Sequence, residues 1–161
     1  MAIKCYNIAE FKRWGDAIMI VLAYDHRAHY LMKQVEEYLV SKGHEVKVCA
    51  NKEYVKTDSY AEFAKQANEE MLKDKNNMGI YSCRTGIGIC MAANRTKGVR
   101  AGVCDSEKTV FLARNDDDMN VLVLPQEFVG IRKAKKLIDL FLTTPFEGGR
   151  HIPRVEALDA E

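Results

Sequence analysis

The sequence lacks the features of a membrane, secreted or nucleic-acid-binding protein. Its longest apolar run covers only residues 17–23, whereas a membrane helix needs about 20 apolar residues. The first 17 residues contain no apolar segment like that of a signal peptide. Lysine and arginine number 24 against 23 aspartate and glutamate, so the basic excess typical of nucleic-acid binders is missing. We therefore expect a protein that binds neither membranes nor nucleic acid.

Cysteine is present, but not in the patterns that disulfides or zinc sites use. The five cysteines are odd in number and form no Cys-x-x-Cys pair or metal-ligand spacing with histidine. Together with the missing export signal, this predicts free thiols and a cytoplasmic protein. No Gly/Ser-rich or Pro-rich linker divides the 161 residues, which is a usual length for one domain.

Short apolar segments alternate with amphipathic ones along the chain. Strands are predicted at 18–23, 45–49, 78–82, 99–104 and 120–124, and helices at 29–41, 59–73, 87–96, 106–114 and 129–142. Ser59 and Glu62 have the spacing of a capping box at the second helix. Strands that are apolar throughout indicate a parallel sheet covered on both faces. We predict a single-domain three-layer α/β/α sandwich with a five-stranded, parallel, Rossmann-like sheet over 18–161, preceded by an N-terminal extension, 1–17.

The segment after the third predicted strand has the composition of an anion site. Residues 83–88 read Cys-Arg-Thr-Gly-Ile-Gly, and ligands collect at the carboxyl ends of parallel strands. Glycines allow a tight turn whose amides can hold an anion or a developing oxyanion. Cys83 could be a nucleophile or base, because a helix N-terminus and a nearby cation lower the pKa of a thiol. The alternative is a plain strand-to-helix turn with a buried cysteine.

Asp25 and His26 follow the first predicted strand and reach the same edge of the sheet. Such a pair suits proton transfer or binding of sugar hydroxyls. The alternative is that Asp25 caps a helix and His26 is exposed.

Two further polar segments could bind ions. Residues 115–118 read Asn-Asp-Asp-Asp and could cap the fourth helix or hold a divalent cation. Contiguous aspartates lack the alternate spacing of a calcium loop, so we expect no metal. In the tail, Arg150, His151 and Arg154 could bind a phosphate or form a solvated basic segment.

The sequence resembles the type B ribose-5-phosphate isomerases and the related galactose-6-phosphate isomerase subunits over roughly residues 18–158. The pieces that carry this resemblance are Asp25-His26, 41–46 (Ser-Lys-Gly-His-Glu-Val), 83–88 with 92–94 (Ala-Ala-Asn), 98–100 (Gly-Val-Arg), 120–124 (Asn-Val-Leu-Val-Leu), and 146–151 (Phe-Glu-Gly-Gly-Arg-His) with Arg154-Val155. Several pieces in the right order are more specific than any one of them.

The resemblance implies an aldose–ketose isomerase of the pentose phosphate pathway. It would interconvert ribose 5-phosphate and ribulose 5-phosphate through an enediolate, with neither metal nor cofactor. It also implies a homodimer or homotetramer whose active sites are shared between subunits. Cys83 would move the proton between C1 and C2. Thr85 is implied to be catalytic as well, and the loop amides of residues 85–88 would stabilise the enediolate oxygens. The other implied binding residues are Asp25 and His26 at the sugar, with His26 reaching the phosphate, Arg84, Gly86, Ile87 and Gly88 in the loop, and Arg150 and Arg154 from the partner subunit.

One departure from the family pattern concerns ring opening. The family usually has Arg-x-His-Asn before the last strand, where the histidine opens the sugar ring. This chain reads Arg-Asn-Asp-Asp at 114–117, which puts Asp116 in the histidine position and Asp117 in the asparagine position, where the resemblance implies that Asp117 binds the substrate. Asp116 could itself be the catalytic acid or base, since a carboxyl with a tuned pKa can do both. Otherwise the pocket takes a different substrate, such as a hexose 6-phosphate, or the chain is a non-catalytic sugar-phosphate-binding subunit.

The remaining departures lie at turns. Arg84 stands where the family usually has glycine, and Glu127 stands where it usually has arginine. Arg27 and Ala28 stand where small residues including glycine are usual.

Overall fold

Five parallel strands form one sheet in the computed structural model, which describes residues 19–160. Their order is β2-β1-β3-β5-β4. The strands are β1 (Met19–Tyr24), β2 (Glu45–Cys49), β3 (Met78–Cys83), β4 (Ala101–Val103) and β5 (Val121–Pro125). All four strand pairings are parallel, which confirms the predicted sheet. The predicted extension, residues 1–17, lies outside the described residues.

Residues 19–160 contain six α-helices. They are α1 (His29–Ser41), α2 (Tyr60–Met71), α3 (Ile87–Ala93), α4 (Glu107–Asp117), α5 (Ile131–Thr143) and α6 (Ile152–Ala157). Of these, α1 to α5 pack on the two faces of this sheet, whereas α6 buries no side chain. One core lies between the sheet and α1, α4 and α5, and a second lies between the sheet and α2 and α3. The three-layer sandwich is therefore confirmed. No helix within residues 19–160 has both the length and the apolar character to cross a membrane.

The strand sequences explain their places in the sheet. Every residue of the central strands β3 and β5 is buried, and these strands are covered by helices on both faces, so both sets of alternating side chains are apolar or small. At the edge of the sheet, β2 alternates between exposed and more buried side chains. A strand in the middle of a parallel sheet therefore needs a continuous apolar sequence, and β3 and β5 have one.

The chain reverses its direction across the sheet between β1 and β3. From β1 it passes through α1 to β2 on one side, and then through α2 to β3 on the other side of β1. Such a reversal leaves a crevice outside the carboxyl ends of the two strands, where ligands bind in this kind of sheet. Asp25 follows β1, and Cys83 ends β3.

All predicted boundaries that fall within residues 19–160 agree with the structure within three residues, and 29–41 and 45–49 agree at both ends. The largest strand error is β4, which is three residues long rather than six. Its predicted start is wrong because the Arg100 amide donates to the Asn120 side chain at 2.8 Å instead of joining the ladder. The predicted capping box is also absent, since Ser59 precedes α2 without a side-chain capping hydrogen bond. The 3₁₀ turn Gly149–His151 and helix α6 were not predicted.

Candidate active site

Cys83 is placed at the mouth of the crevice by the sheet. It is the last residue of β3, pairs in register with Pro125 of β5, and is only 5% exposed. Its carbonyl oxygen accepts a hydrogen bond from the Gln126 amide at 3.1 Å. The backbone that carries the thiol is therefore held on the side of β5.

The loop that follows Cys83 requires glycine at its end. Gly86 has φ of 75°, in the left-handed region, and directly precedes α3. A Cβ there would lie 3.1 Å from a methyl carbon of both Val103 and Val123. Both the backbone angle and the close packing favour glycine, and they let α3 begin immediately after the strand. Thr85 is exposed, with its hydroxyl 3.4 Å from the Ile87 amide.

Tyr60 covers the first turn of α3. A Cβ on Gly88 would lie 2.7 Å from the Tyr60 ring, so this tyrosine packs directly on the glycine backbone. Ile87, by contrast, leaves 53% of its surface exposed. The loop is thus covered by Tyr60 on one side and open on the other.

Asp25 lies beside Cys83 across the β1–β3 pairing. Tyr24 is in register with Ser82, so the residues that follow them are neighbours at the sheet edge. Asp25 is 6% exposed, and one carboxylate oxygen accepts a hydrogen bond from the Arg27 amide at 3.0 Å. Burial is the main cause that raises the pKa of Asp25. The structure therefore bears out the capping alternative for Asp25 and also places its carboxyl at the crevice.

The same alternative expected His26 to be exposed, but His26 is half-buried and hydrogen-bonded to Asp58. The Asp58 carboxylate accepts from the His26 amide at 3.0 Å and lies 2.8 Å from ring atom Nδ1. Tyr54 meets the imidazole edge-on, with 5.9 Å between ring centroids. Sequence reasoning missed Asp58, since it lies in a segment without periodicity, and the contact joins residues 32 apart in sequence.

Two of the unusual turn residues form an ion pair. Arg84 Nε donates to a Glu127 carboxylate oxygen at 2.9 Å, and the Glu127 amide donates to the Arg84 carbonyl at 2.9 Å. Hydrogen bonding to Arg84 is the main cause that lowers the pKa of Glu127, and the charge of Arg27 lowers it further. The pair joins the turns after β3 and β5.

A second cluster contains the predicted ring-opening residue. One Asp116 oxygen accepts from the Asn115 side-chain amide at 2.8 Å and lies 3.8 Å from His151 Nε2. His151 is buried and also lies 3.3 Å from a Glu147 oxygen and 3.3 Å from Arg150 Nε. The tail is thereby held against the end of α4.

Asp116, Glu147 and His151 could together hold a metal ion, since one ligand atom from each lies within 4.8 Å of the others. The guanidinium of Arg150, however, already points at the histidine nitrogen that would bind the metal. Asp118 is engaged elsewhere, in ion pairs with Arg100 at 2.8 Å and Arg114 at 3.1 Å. The aspartate run is therefore divided between two charge networks.

The two clusters lie at opposite ends of the strands. Cys83 is level with Pro125, at the carboxyl end of β5. The end of α4 lies at the other end of β5, where Arg114 donates to the Met119 carbonyl at 2.6 Å. Five strand residues span about 13 Å from first to last. One chain therefore brings Asp25, His26 and the 83–88 loop together, but it does not bring Asp116 or Arg150 to them.

Two of the predicted binding residues make no close approach to Cys83. Asp117 is exposed and lines a groove of about 630 Å³ beside β4 and the chain end. Arg154 is exposed on α6, one helical turn after Arg150. Arg150 and Arg154 can therefore face the same ligand, outside the crevice of their own chain.

Comparison with known proteins finds one family. The sequence model of the Ribose/Galactose Isomerase family matches residues 20–158. The probable ribose-5-phosphate isomerase B of Mycoplasma genitalium is 39% identical over 140 residues, covering 86% of this chain and 92% of that protein. Ribose-5-phosphate isomerase B of Escherichia coli is 36% identical over 141 residues, covering 88% and 94%. A solved structure of the Mycoplasma genitalium enzyme with bound ribulose-5-phosphate has a TM-score of 0.85 and 38% identity, covering 88% and 94%.

Proposed function

The chain belongs to the ribose/galactose isomerase family, and from that premise we propose that it interconverts ribose 5-phosphate and ribulose 5-phosphate through an enediolate. The observation that carries this proposal is the position of Cys83 at the end of β3, directly before the glycine loop and beside Asp25. A proton next to a carbonyl is only weakly acidic, so isomerisation needs a base and an oxyanion site together. This edge of the sheet supplies both.

In the proposed reaction from the aldose, the Cys83 thiolate takes the proton from C2 and returns it to C1, while the proton of the C2 hydroxyl passes to the oxygen on C1. The amides of residues 85–88, at the start of α3, stabilise the negative oxygen of the enediolate. The buried carboxyl of Asp25 binds a sugar hydroxyl. These roles need only the chain's own side chains and amides, so we propose no metal or cofactor.

We further propose that the active site is shared between two copies of the chain. The phosphate would bind between His26 of one copy and Arg150 and Arg154 of the other, because these arginines lie at the far end of their own strands. Large apolar side chains are exposed on the edge strand β4, on α3 and α4, and in the turn after β5, which suits contact with a second copy. They are Ile87, Met91, Val103, Phe111, Leu112 and Phe128.

A direct assay tests the reaction. Purified protein with ribose 5-phosphate should produce ribulose 5-phosphate, and the same preparation should be slower with a panel of hexose 6-phosphates. A preference for one of the hexose phosphates would favour the alternative function, for which Asp116 in the usual histidine position is the motivation. Binding without turnover of any sugar in the panel would identify a non-catalytic subunit.

We propose that Asp116 opens the sugar ring. In the structure one Asp116 oxygen accepts from the Asn115 side-chain amide at 2.8 Å, and the carboxylate lies 3.8 Å from the buried His151 in the tail cluster. Replacing Asp116 with asparagine should reduce kcat/KM for ribose 5-phosphate by about 10- to 100-fold. The kcat/KM for a four-carbon aldose phosphate, which cannot form a ring, should not change. Equal losses on both substrates would show that Asp116 has a general structural role.

A cytoplasmic location accords with this function. All four cysteines among the described residues are free thiols, which is the usual state in a reducing compartment.

A further inference from the structure

Asp58 contacts both the backbone and the side chain of His26. It lies between β2 and α2, with a side chain only 6% exposed. A single oxygen, Oδ1, accepts from the His26 amide at 3.0 Å and lies 2.8 Å from the His26 ring atom Nδ1. The other oxygen accepts from Asn51 at 3.3 Å. The carboxylate therefore holds both the backbone and the ring of one histidine.

These contacts determine which ring nitrogen of His26 is left free to bind a ligand. Because a carboxylate only accepts, Nδ1 must carry a proton. Within residues 19–160 no protein group is hydrogen-bonded to Nε2, and 21% of the side chain is exposed. Tyr54 stands edge-on against the imidazole at 5.9 Å and limits its rotation. Nδ1 is therefore held by Asp58, and Nε2 is the ring nitrogen that remains available to a ligand.

We propose that Asp58 is a positioning residue that holds His26 as a charged hydrogen-bond donor to the phosphate of the substrate. The inference rests on the proposed function, in which the ligand is a sugar phosphate. A phosphate oxygen at Nε2 also needs a proton on that nitrogen, so the ring carries a full positive charge in the complex. Charge-assisted hydrogen bonds of this kind are roughly twice as strong as neutral ones.

Asp58 contacts the His26 ring at Nδ1, on the side away from the nitrogen that would bind the phosphate. Its negative charge balances the imidazolium, while the width of the ring separates it from the phosphate dianion. Asp25 is the other carboxyl near His26, and its buried side chain is held in place by the Arg27 amide. Asp58 is therefore the group placed to stabilise the charged ring through direct contact.

Asp58 could instead only anchor its loop, and Asn51 separates the two roles. Replacing Asp58 with asparagine removes the charge but keeps an Oδ1 that can accept from both donors of His26. Replacing Asn51 with alanine removes the other contact of the carboxylate and leaves the His26 contacts in place. The Asn51→Ala variant is therefore the matched control for loop anchoring.

The experiment measures KM and kcat for ribose 5-phosphate, and calorimetric binding of inorganic phosphate to the full-length protein. Asp58→Asn should raise KM and the Kd of phosphate by about 10-fold or more, with kcat within about threefold. Asn51→Ala should stay within about threefold of the unchanged protein on all three values. In a His26→Gln background, Asp58→Asn should add less than about twofold, because Asp58 acts through the ring.

Three results would overturn the inference. They are an Asp58→Asn variant that behaves like Asn51→Ala, a fall in kcat without a change in KM or phosphate Kd, and a full additional effect in the His26→Gln background. Asp58→Ser, also neutral and smaller, replaces Asp58→Asn if circular dichroism shows that the latter is unfolded. Phosphate binding needs no turnover, so a protein inactive on ribose 5-phosphate would refute the proposed function while the phosphate series still decides the role of Asp58.

Discussion

Replacing Cys83 with serine is expected to lower kcat by about 10²–10⁴-fold while KM stays within about threefold. The hydroxyl of serine is close in size to the thiol, and Cys83 is only 5% exposed, so the substitution preserves the packing at the end of β3. It removes the acidity, because a serine hydroxyl ionises far less readily than a thiol. The lost interaction belongs to the transition state, and such losses appear in kcat rather than in KM.

Cys90→Ser is the matched control for this substitution. Cys90 lies one element further on, in α3, where its thiol is 3.3 Å from the Ala101 carbonyl. Burial is the main cause that raises the pKa of the Cys90 thiol, which disfavours the thiolate form that a base needs. Cys90→Ser should therefore retain kcat within about threefold. A Cys83→Ser enzyme within about tenfold of the unchanged protein would rule out Cys83 as the base.

The fold was predictable because its signals are local. A strand buried on both faces must be apolar throughout, and the segments around Leu22, Ile80 and Leu122 are. Helix α1 could be delimited at both ends because its apolar residues recur at helical spacing up to Gly43, whose φ of 86° ends the helical segment. Where side-chain contacts replace ladder bonds, as at Arg100, the apolar pattern overestimates the strand.

The candidate site was predictable only in part, because two of its contacts join distant segments. The 83–88 loop and Asp25 are marked by their places after apolar strands. The pairing of Arg84 with Glu127 joins residues 43 apart, and that of His26 with Asp58 joins residues 32 apart. Each partner lies in a turn or loop without periodicity. Such contacts depend on how the strands are ordered in the sheet, which a single sequence does not show.

The predicted site residues lie at two opposite ends of the sheet, so we expect a complete active site to need two copies of the chain. Cys83 and His26 lie at the carboxyl ends of the strands, whereas Arg150 is held at the opposite end by the contacts of His151. If the active site takes Cys83 from one copy and Arg150 from the other, two different inactive chains can repair each other. A dimer of one Cys83→Ser chain and one Arg150→Ala chain has one site with both changes and one site with neither.

Each homodimer should be nearly inactive, and an equal mixture should regain about a quarter of the unchanged activity. Random exchange makes about half of the dimers mixed, and each of these contains one intact site out of two. Activity would be measured after exchange, on mixed dimers verified by differently tagged chains.

The pair Cys83→Ser with His26→Ala is the matched control, because both residues belong to the same end of one chain and no intact site can form. Rescue confined to the Arg150 pair requires that the phosphate-binding arginine cross to the partner. Failure of rescue in verified mixed dimers would mean that each site is built within one chain. In that case the tail that carries Arg150 would have to leave the end of α4, breaking the contacts of His151 with Glu147 and Asp116.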